Sequence, residues 1–231
     1  MRAIIDADNL AFACAASAED NELGIACARA NDMVSVIMEQ SGSEKYELWL
    51  TGKGNFRYNI YPEYKANRIQ AKRPRWEAAV KQHLVECWEA NWSTGCEADD
   101  MLGVRLMEDP ENIACHLDKD INMIPGWHYN WELKRLGKTV RESKKYFVTP
   151  EEGTSFFYLQ MLTGDPTDNI KGVVGIGLKK AEKVLAGCNT EVDMFNAVRD
   201  LYSCDEEMEM NGGVLWIWRK LNDVWSLKKY E

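Results

Sequence analysis

The chain has 231 residues and a formal net charge of −9 at pH 7, with 28 basic and 37 acidic side chains. This length fits one or two domains, and the acidic balance argues against a protein that binds nucleic acid over its whole surface. No apolar run is long enough for a membrane span, and the start of the chain, MRAIIDADNL, lacks a signal-peptide core, so we expect an intracellular, cytoplasmic protein. The seven cysteines form no CxxC pair and complete no zinc spacing, which predicts free thiols.

Short apolar runs alternate with helical patterns through the first two thirds of the chain. The runs predicted as strands are residues 3–5, 46–50, 112–117 and 146–148. A helix predicted over residues 76–92 has an apolar side chain at every fourth position: Trp76, Val80, Leu84, Trp88 and Trp92. Short buried strands between helices predict an α/β fold with a mostly parallel sheet covered on both faces.

After Pro150 the strand signals stop, and only helices are predicted. The last of these helices has apolar residues at helical spacing, namely Val214, Ile217, Trp218, Leu221 and Trp225. We therefore predict a boundary near residue 150, between an α/β unit of residues 1–149 and a helical unit of residues 150–231.

Basic residues are concentrated in two segments. Residues 53–75 carry seven basic side chains and one acid, and residues 134–145 carry six and one. This segregation suits a protein that binds phosphate groups in selected places and gathers carboxylates elsewhere, although two solvated charged loops would look the same.

Acidic residues stand where the predicted strands end. Asp6 follows the first strand, and Asp118 and Asp120 follow the third, at the edge where ligands gather in parallel sheets. Four more acids, at a predicted helix start and in the sequence GDPTDN, complete the candidate set: Glu97, Asp99, Asp165 and Asp168. If these seven carboxylates converge, they would repel one another unless divalent cations lay between them. Oxygen ligands without histidine or thiolate favour magnesium or manganese.

The same acids also have structural explanations. Asp165, followed by a proline, is typical of a helix N-cap, which would place Asp168 at the third helical position. The acids of CEADD, residues 96–100, suit a helix N-terminus because the helix dipole favours negative charge there. We interpret Asp8, close to Asp6, as a turn or cap residue.

Glycines and lysines follow these acids in GVVGIGLKK. The GxG pattern does not predict a dinucleotide fold, because Lys180 replaces the third glycine and no strand precedes it. A tight hairpin between two helices is predicted instead, with backbone amides free to approach a phosphate. The residues expected to bind nucleic-acid backbone there are Gly172, Gly175, Gly177, Lys179 and Lys180.

The order of these motifs resembles the 5′ nuclease superfamily. After Asp6 come YPEYKANR (61–68), CEADD (96–100), LDKD (117–120) and GDPTDNIKGVVGIG (164–177). The resemblance runs from residue 3 to about residue 185. This superfamily includes flap endonucleases, phage 5′-3′ exonucleases and the N-terminal nuclease domain of bacterial DNA polymerase I, and the phage enzymes resemble this chain in compact size.

The resemblance implies a PIN-like α/β fold with a C-terminal helix-hairpin-helix, and phosphodiester hydrolysis with two Mg²⁺ or Mn²⁺ ions. The ligands it implies for the first ion are Asp6, Glu97, Asp99 and Asp118. Those for the second are Asp120, Asp165 and Asp168, with Asp118 near both.

It also implies a helical gateway over the site. In that gateway, Lys65 and Arg68 would neutralise the scissile phosphate, and Tyr64 would stack an unpaired base. A potassium ion would bind at the hairpin. The implied partners of this monomer are DNA with a 5′ flap, a nick or a free 5′ end and an RNA-DNA hybrid, in the host cytoplasm if a phage encodes it.

The chain departs from the superfamily pattern in three places. Many relatives carry a metal-site aspartate after the second strand, where this chain has Leu50-Thr51-Gly52-Lys53. Several phage relatives have a lysine where this chain has Gln160, and the segment that would form an arch, residues 69–95, is short. Two other functions therefore stay open: a catalytically silent DNA-binding protein, and a PIN-type ribonuclease, which would lack the glycine hairpin.

Overall fold

The computed structural model describes residues 1–68, 72–135 and 138–230; residues 69–71, at the start of the predicted arch, lie outside this description. The strands are β1 (Arg2–Asp6), β2 (Lys45–Lys53), β3 (Asn91–Thr94), β4 (Asn112–Cys115), β5 (Gly126–Asn130), β6 (Leu133–Arg135), β7 (Lys138–Arg141), β8 (Lys144–Val148), β9 (Gly164–Asp165) and β10 (Ile170–Lys171). The helices are α1 (Ala7–Ser17), α2 (Leu23–Ser41), α3 (Arg57–Ile60), α4 (Glu77–Trp88), α5 (Ala98–Glu108), α6 (Pro150–Thr163), α7 (Leu178–Leu185), α8 (Glu191–Arg199) and α9 (Asp205–Leu215).

The central sheet has the strand order β3-β2-β1-β4-β5-β8. The first five strands are parallel, and only β8 runs antiparallel to its neighbour β5. The predicted α/β fold with a mostly parallel sheet is therefore confirmed. All four strands predicted from sequence are present, as β1, β2, β4 and β8.

Helices cover both faces of the sheet. Successive residues of β1 point to opposite faces, so Ile4 belongs to one apolar cluster and Ile5 to the other. The cluster on the Ile5 side includes side chains of α1, α2 and α4. The cluster on the Ile4 side combines α5 with α6 and the C-terminal segment, so it contains residues from both sides of the boundary near residue 150, which stays a prediction.

Two helix predictions are wrong at their ends. Helix α4 stops at Trp88 because Glu89 turns into the left-handed conformation (φ 54°), and Trp92 lies on β3 with 46% of its surface exposed. At the C-terminus, α9 ends at Leu215, so the helical spacing from Val214 to Trp225 does not mark a helix.

The C-terminal apolar residues are buried for another reason. Ile217, Trp218 and Trp225 are buried in the core outside any helix, while Leu221 is 62% exposed. The backbone that leads into this segment is held by long-range contacts, because Arg57 donates to the carbonyl oxygens of Val214 and Trp216 at 2.8 Å each. Helical spacing cannot anticipate such a segment. The expectation of helices alone after Pro150 also missed the short β9–β10 pair.

In the described part of the chain, no helix is both long and apolar enough to cross a membrane.

Candidate active site

The parallel sheet brings two of the predicted acids to one edge. Ile5 of β1 pairs with Cys115 of β4, and Asp6 and Asp118 follow at the carboxyl ends of these neighbouring strands. Asp6 is 1% exposed and also begins α1, where its Oδ1 accepts from the amides of Asp8 and Asn9 at 3.0 Å each.

Repulsion among these acids is evident in their ionisation. Burial, followed by the charges of Asp8 and Asp118, raises the pKa of Asp6 to about 7. Burial, followed by Asp6 and Asp118, raises the pKa of Asp99 well above its ordinary value. The charge of Asp118 thus acts on both Asp6 and Asp99, as expected for acids gathered at one end of a sheet.

Tyr64 connects the two predicted ligand sets. Its hydroxyl lies 2.9 Å from Glu97 Oε2 and 3.0 Å from Asp168 Oδ2, so these two acids lie on either side of one phenol. Lys65 Nζ lies 2.5 Å from Glu97 Oε1 and 3.7 Å from Asp168 Oδ2. Although burial alone would raise the pKa of Glu97, Lys65 and the nearby Arg57 lower it.

The remaining two acids of the second predicted site share a lysine. Lys119 Nζ is 2.6 Å from Asp120 Oδ1 and 2.8 Å from Asp165 Oδ2. Burial and the charge of Asp118 still raise the pKa of Asp120 to about 6, whereas Lys119 outweighs burial and lowers the pKa of Asp165. Gln160, which replaces the lysine of some relatives, donates from Nε2 to Asp120 Oδ1 at 2.6 Å.

The YPEYKANR segment lies directly on the GDPTDN segment. The amide of Lys65 donates to the carbonyl oxygen of Asp168 at 2.9 Å, and Asn67 Nδ2 donates to that of Pro166 at 2.7 Å. The Arg68 guanidinium contacts the Asp168 carboxylate and donates to the carbonyl oxygen of Thr167 at 3.1 Å. Because Lys65 is held in the left-handed conformation (φ 57°), its ammonium is placed by backbone as well as by charge.

One predicted role within this segment is corrected. Tyr64 is only 3% exposed, so its ring offers no face on which an unpaired base can stack. Burial and the charge of Glu97 raise the pKa of its phenol, which therefore stays protonated and donates. Tyr58, which lies in α3 just before this segment, is 49% exposed and packs edge-on against Tyr64, so its ring is open to solvent.

Some of the acids also have the structural roles that the sequence suggested. Asp165 Oδ1 accepts from the amide of Thr167 at 2.7 Å and so caps a short 3₁₀ turn. Asp100, which the candidate set excludes, is completely buried and held by Arg57 through contacts of 2.6 and 2.8 Å. The capping role does not prevent Asp165 from binding a metal ion, because the cap uses Oδ1 while Oδ2 lies against Lys119.

Asp8 does more than the predicted turn or cap. Its Oδ2 accepts from the amide of Thr51 at 2.8 Å, and its Oδ1 lies 2.6 Å from Lys81 Nζ. It therefore joins α1 to the end of β2 and to α4. The sequence did not identify Lys81, Lys119 or Arg57, because each acts through a contact distant along the chain.

The end of β2, residues 50–53, leaves no room for a side chain at Gly52. A Cβ atom on Gly52 would lie 2.0 Å from the carbonyl oxygen of Ser93, so a side chain requires a backbone shift. Thr51 instead uses its hydroxyl to accept from the amide of Ala98 at 3.0 Å, at the start of α5. The residues at this edge therefore act structurally.

The donor set fits divalent cations in its chemistry. The candidate ligands are all carboxylates, and burial, followed by the charges of neighbouring acids, raises the pKa values of Asp6, Asp99 and Asp120. Among the described residues, no three His, Cys, Asp or Glu side chains are arranged to hold a metal ion. Lysine and arginine cations lie against Glu97, Asp165 and Asp168 instead, so metal binding requires side-chain movement.

The glycine hairpin lies between α6 and α7. Gly175 adopts φ 78° and Gly177 begins α7, and a Cβ atom added at either glycine would meet no other atom within 4 Å, so their backbone is open to a partner. Lys180 Nζ donates to the carbonyl oxygen of Gly175 at 2.8 Å, and Lys179 is exposed. Gly172 serves packing, because a Cβ there would lie 2.3 Å from the carbonyl carbon of Thr163.

The chain is similar in sequence to DNA polymerases I and to 5′-3′ exonucleases. No protein-family model matches the chain. DNA polymerase I of Bacillus caldotenax is 26% identical over 185 residues, which cover 72% of this chain and 20% of that protein. The 5′-3′ exonuclease of Buchnera aphidicola subsp. Schizaphis graminum is 26% identical over 200 residues, covering 81% and 68% respectively.

Among solved structures, the chain is similar to the bacteriophage T5 D15 flap endonuclease in complex with DNA and metal ions. The TM-score is 0.65 at 20% identity, over 91% of this chain and 86% of that one. This likeness confirms the fold. The chain spans about a fifth of the length of the DNA polymerases it matches.

Proposed function

We propose that this chain, which is a homologue of the 5′-3′ exonucleases and of DNA polymerase I, is a structure-specific 5′ nuclease. It would hydrolyse phosphodiester bonds near 5′ ends or junctions in DNA, leaving a 5′-phosphate and a 3′-hydroxyl. One observation carries the proposal: the segment of residues 63–68 is docked on residues 166–169, which places Tyr64 and Lys65 between Glu97 and Asp168. Acids, cations and a buried phenol thus meet at the ligand-binding edge of the sheet.

Two divalent ions, Mg²⁺ or Mn²⁺, are the proposed cofactors. Carboxylates from the strand ends and α5 would hold the first, namely Asp6, Glu97, Asp99 and Asp118, and Asp120, Asp165 and Asp168 would hold the second. Bound ions of this kind activate water and stabilise negative charge on phosphodiester oxygens.

Lys65 and Arg68 are proposed to act on the scissile phosphate. Both cations rest on carboxylates in this structure, and the Arg68 side chain is 43% exposed. Once the carboxylates bind metal, these cations are free to turn toward a phosphate and to stabilise the charge that builds up on it. Tyr64 is a positioning residue, because its hydroxyl holds Glu97 and Asp168 rather than a nucleotide.

The hairpin is proposed to bind duplex backbone away from the cut. The open backbone at Gly175 and Gly177 and the exposed Lys179 and Lys180 suit phosphate contacts without base readout. A potassium ion is also proposed to bind at this hairpin. The substrates it predicts are a 5′ flap, a nicked duplex, a free 5′ end and an RNA-DNA hybrid.

The proposal is tested with four 5′-labelled substrates, a DNA flap, a nicked duplex, an RNA-DNA hybrid and a single-stranded RNA, each incubated with Mg²⁺ or with EDTA. We expect short 5′-labelled products from the flap in Mg²⁺ and none in EDTA. The matched variants are Asp118→Asn and the exposed-surface control Asp20→Asn. Binding without a metal-dependent product would indicate a silent DNA-binding protein, and cleavage of single-stranded RNA alone would indicate a PIN-type ribonuclease.

A further inference from the structure

Helices α2 and α4 carry a group of polar side chains that the proposed nuclease does not use. Cys27 and Asn31 lie one turn apart on α2, and His83 and Cys87 lie one turn apart on α4. Cys87 is exposed and Cys27 is half-buried. The group, which we call the thiol cluster, consists of these four residues together with Trp88.

The hydrogen bonds of the thiol cluster define its proton positions. Trp88 Nε1 lies 2.7 Å from Asn31 Oδ1, and since an indole N–H can only donate, the atom it meets must be the amide oxygen. His83 Nε2 lies 2.8 Å from the same oxygen and must therefore carry a hydrogen. In a neutral ring, Nδ1 is then an acceptor.

That acceptor faces a thiol. Cys87 Sγ lies 3.5 Å from His83 Nδ1, so the thiol donates to the imidazole. The arrangement of a cysteine, a histidine that can take its proton, and a third group that orients the histidine is the arrangement that activates sulfur nucleophiles. As Cys87 attacks, its proton passes to His83 Nδ1, and the Asn31 oxygen stabilises the resulting imidazolium.

A second thiol lies close by. Asn31 contacts His83 and Trp88, so Cys27, one turn earlier on the same helix, belongs to the side of α2 that faces α4. Burial, and then the neighbouring Cys87 thiol, raise the pKa of Cys27. Cys27 is therefore protonated in the resting protein, and an external disulfide should react with it slowly.

We propose that the thiol cluster is a thiol-disulfide exchange site, in which Cys87 is the attacking thiol and Cys27 resolves the product. The co-reactant is a low-molecular-weight disulfide. Cys87 sulfur attacks one sulfur of that disulfide, the S–S bond breaks, and one thiol leaves with the proton from His83. Cys27 then attacks the Cys87 sulfur, the mixed S–S bond breaks, and the Cys27 proton leaves with the second thiol. The protein loses two hydrogens, and the co-reactant is reduced to two thiols.

Cys204 provides an internal reference. It is also exposed, but it begins α9, whose first turn contains Asp205, Glu206 and Glu207. The ring nitrogens of His83, His116 and His128 all contact other partners, so no imidazole in the described part of the chain is placed to take the Cys204 proton. The two exposed cysteines, Cys87 and Cys204, thus differ in whether a histidine can receive the thiol proton. Their reaction rates can be compared in one reaction mixture.

The experiment incubates the full chain with oxidised glutathione and follows each cysteine by peptide mass mapping. We expect Cys87 to react at least about tenfold faster than Cys204, and the Cys27–Cys87 disulfide to follow. His83→Gln should reduce the Cys87 rate to about that of Cys204, because Gln cannot accept the proton. In Cys27→Ser, the mixed disulfide with glutathione should accumulate at Cys87.

Equal rates at Cys87 and Cys204 in the unmodified chain would overturn the proposal, and so would an unchanged Cys87 rate in folded His83→Gln. A mixed disulfide that persists at Cys87 in the unmodified chain would overturn the role of Cys27. The circular dichroism spectrum shows whether His83→Gln is folded. If this variant is not folded, the ratio of the Cys87 and Cys204 rates in the unmodified chain decides whether the proposal holds. The readout is independent of nuclease activity.

Discussion

Glu97 and Asp168, which lie on opposite sides of residue 150 in the sequence, are both within hydrogen-bond distance of one donor, the Tyr64 hydroxyl, at 2.9 and 3.0 Å. The motif CEADD and the motif GDPTDN are thereby joined through a third motif, YPEYKANR. Lys65 repeats the connection with its ammonium, 2.5 and 3.7 Å from the same two acids. The central sheet and the segment after α6 are thus coupled at the candidate active site.

Tyr64→Phe should destabilise the protein by about 1 to 3 kcal/mol, because two buried carboxylates lose a donor. It should also slow flap cleavage, since Glu97 and Asp168 are no longer held together. The free energy of unfolding is measured by urea titration in EDTA. Tyr58→Phe is the matched control, with an exposed hydroxyl that should be dispensable. Equal stability of the two variants would contradict the role given to the Tyr64 hydroxyl.

Lys65→Ala should lower the cleavage rate by an amount equivalent to about 2 to 4 kcal/mol of transition-state stabilisation. Single-turnover cleavage of a saturating flap substrate separates this effect from binding. Lys72→Ala removes an 88% exposed lysine from the same basic segment and should change the rate little. A Lys65→Ala variant that altered only affinity would show that Lys65 does not act on the reacting phosphate.

Asp118→Asn should abolish cleavage and leave DNA binding equal or stronger, because it removes a proposed metal ligand and a source of repulsion together. Fluorescence anisotropy with labelled flap DNA in Ca²⁺ measures the binding. Asp20→Asn should retain both properties. Turnover by Asp118→Asn would contradict the assignment of this residue.

Asp100→Asn should cost about 3 to 5 kcal/mol of stability, because the buried Arg57, 2% exposed, loses its nearest counter-charge and is left with Glu97 at 3.8 Å. Lys134→Ala, which breaks an exposed ion pair with Glu132, should cost less than about 1 kcal/mol. Urea titration of the two variants provides the comparison. A small loss for Asp100→Asn would mean that Arg57 can reach solvent.

In the metal-free protein, the contribution of Asp6 to stability should fall as the pH rises to about 7. The pKa of Asp6 is raised to about 7 from 3.8, so between these values the folded protein holds a proton that the unfolded chain has released, and above about pH 7 both states have released it. The buried His116 and His128 act in the opposite direction, because their pKa values are lowered from 6.5 to about 3 and about 4 and the unfolded histidines still bind protons near neutral pH. The Asp6 contribution is therefore measured as the difference in stability between the unmodified chain and a variant at Asp6.

Asp6→Asn should remove this contribution and keep the α1 cap, since its amide oxygen can still accept from the amides of Asp8 and Asn9. The free energies of unfolding of the two proteins are compared at pH 5, 6 and 7.5 in EDTA, and the unmodified chain should lose stability relative to Asp6→Asn as the pH rises. A difference between the two proteins that does not change with pH would show that the pKa of Asp6 is not raised.

The sequence predicted the sheet and the location of the acids, because strand periodicity and the carboxyl ends of parallel strands are local patterns. It could not predict Lys119 between Asp120 and Asp165, or Arg57 against Asp100, because those contacts depend on how distant segments pack. The burial of Tyr64 follows from the docking of its segment on residues 166–169, which no periodicity encodes. Likewise, tertiary contacts rather than helical spacing bury Trp218 and Trp225.

The most direct test of the central claim is a crystal structure of the protein soaked in Mn²⁺, with the ions located by anomalous scattering. We predict two peaks at the carboxyl end of the sheet, one contacted by carboxylates of Asp6 and Asp118 and the other by those of Asp120 and Asp165, with Lys119 displaced. The absence of any peak among these acids at saturating Mn²⁺, with Lys119 still between Asp120 and Asp165, would contradict the account.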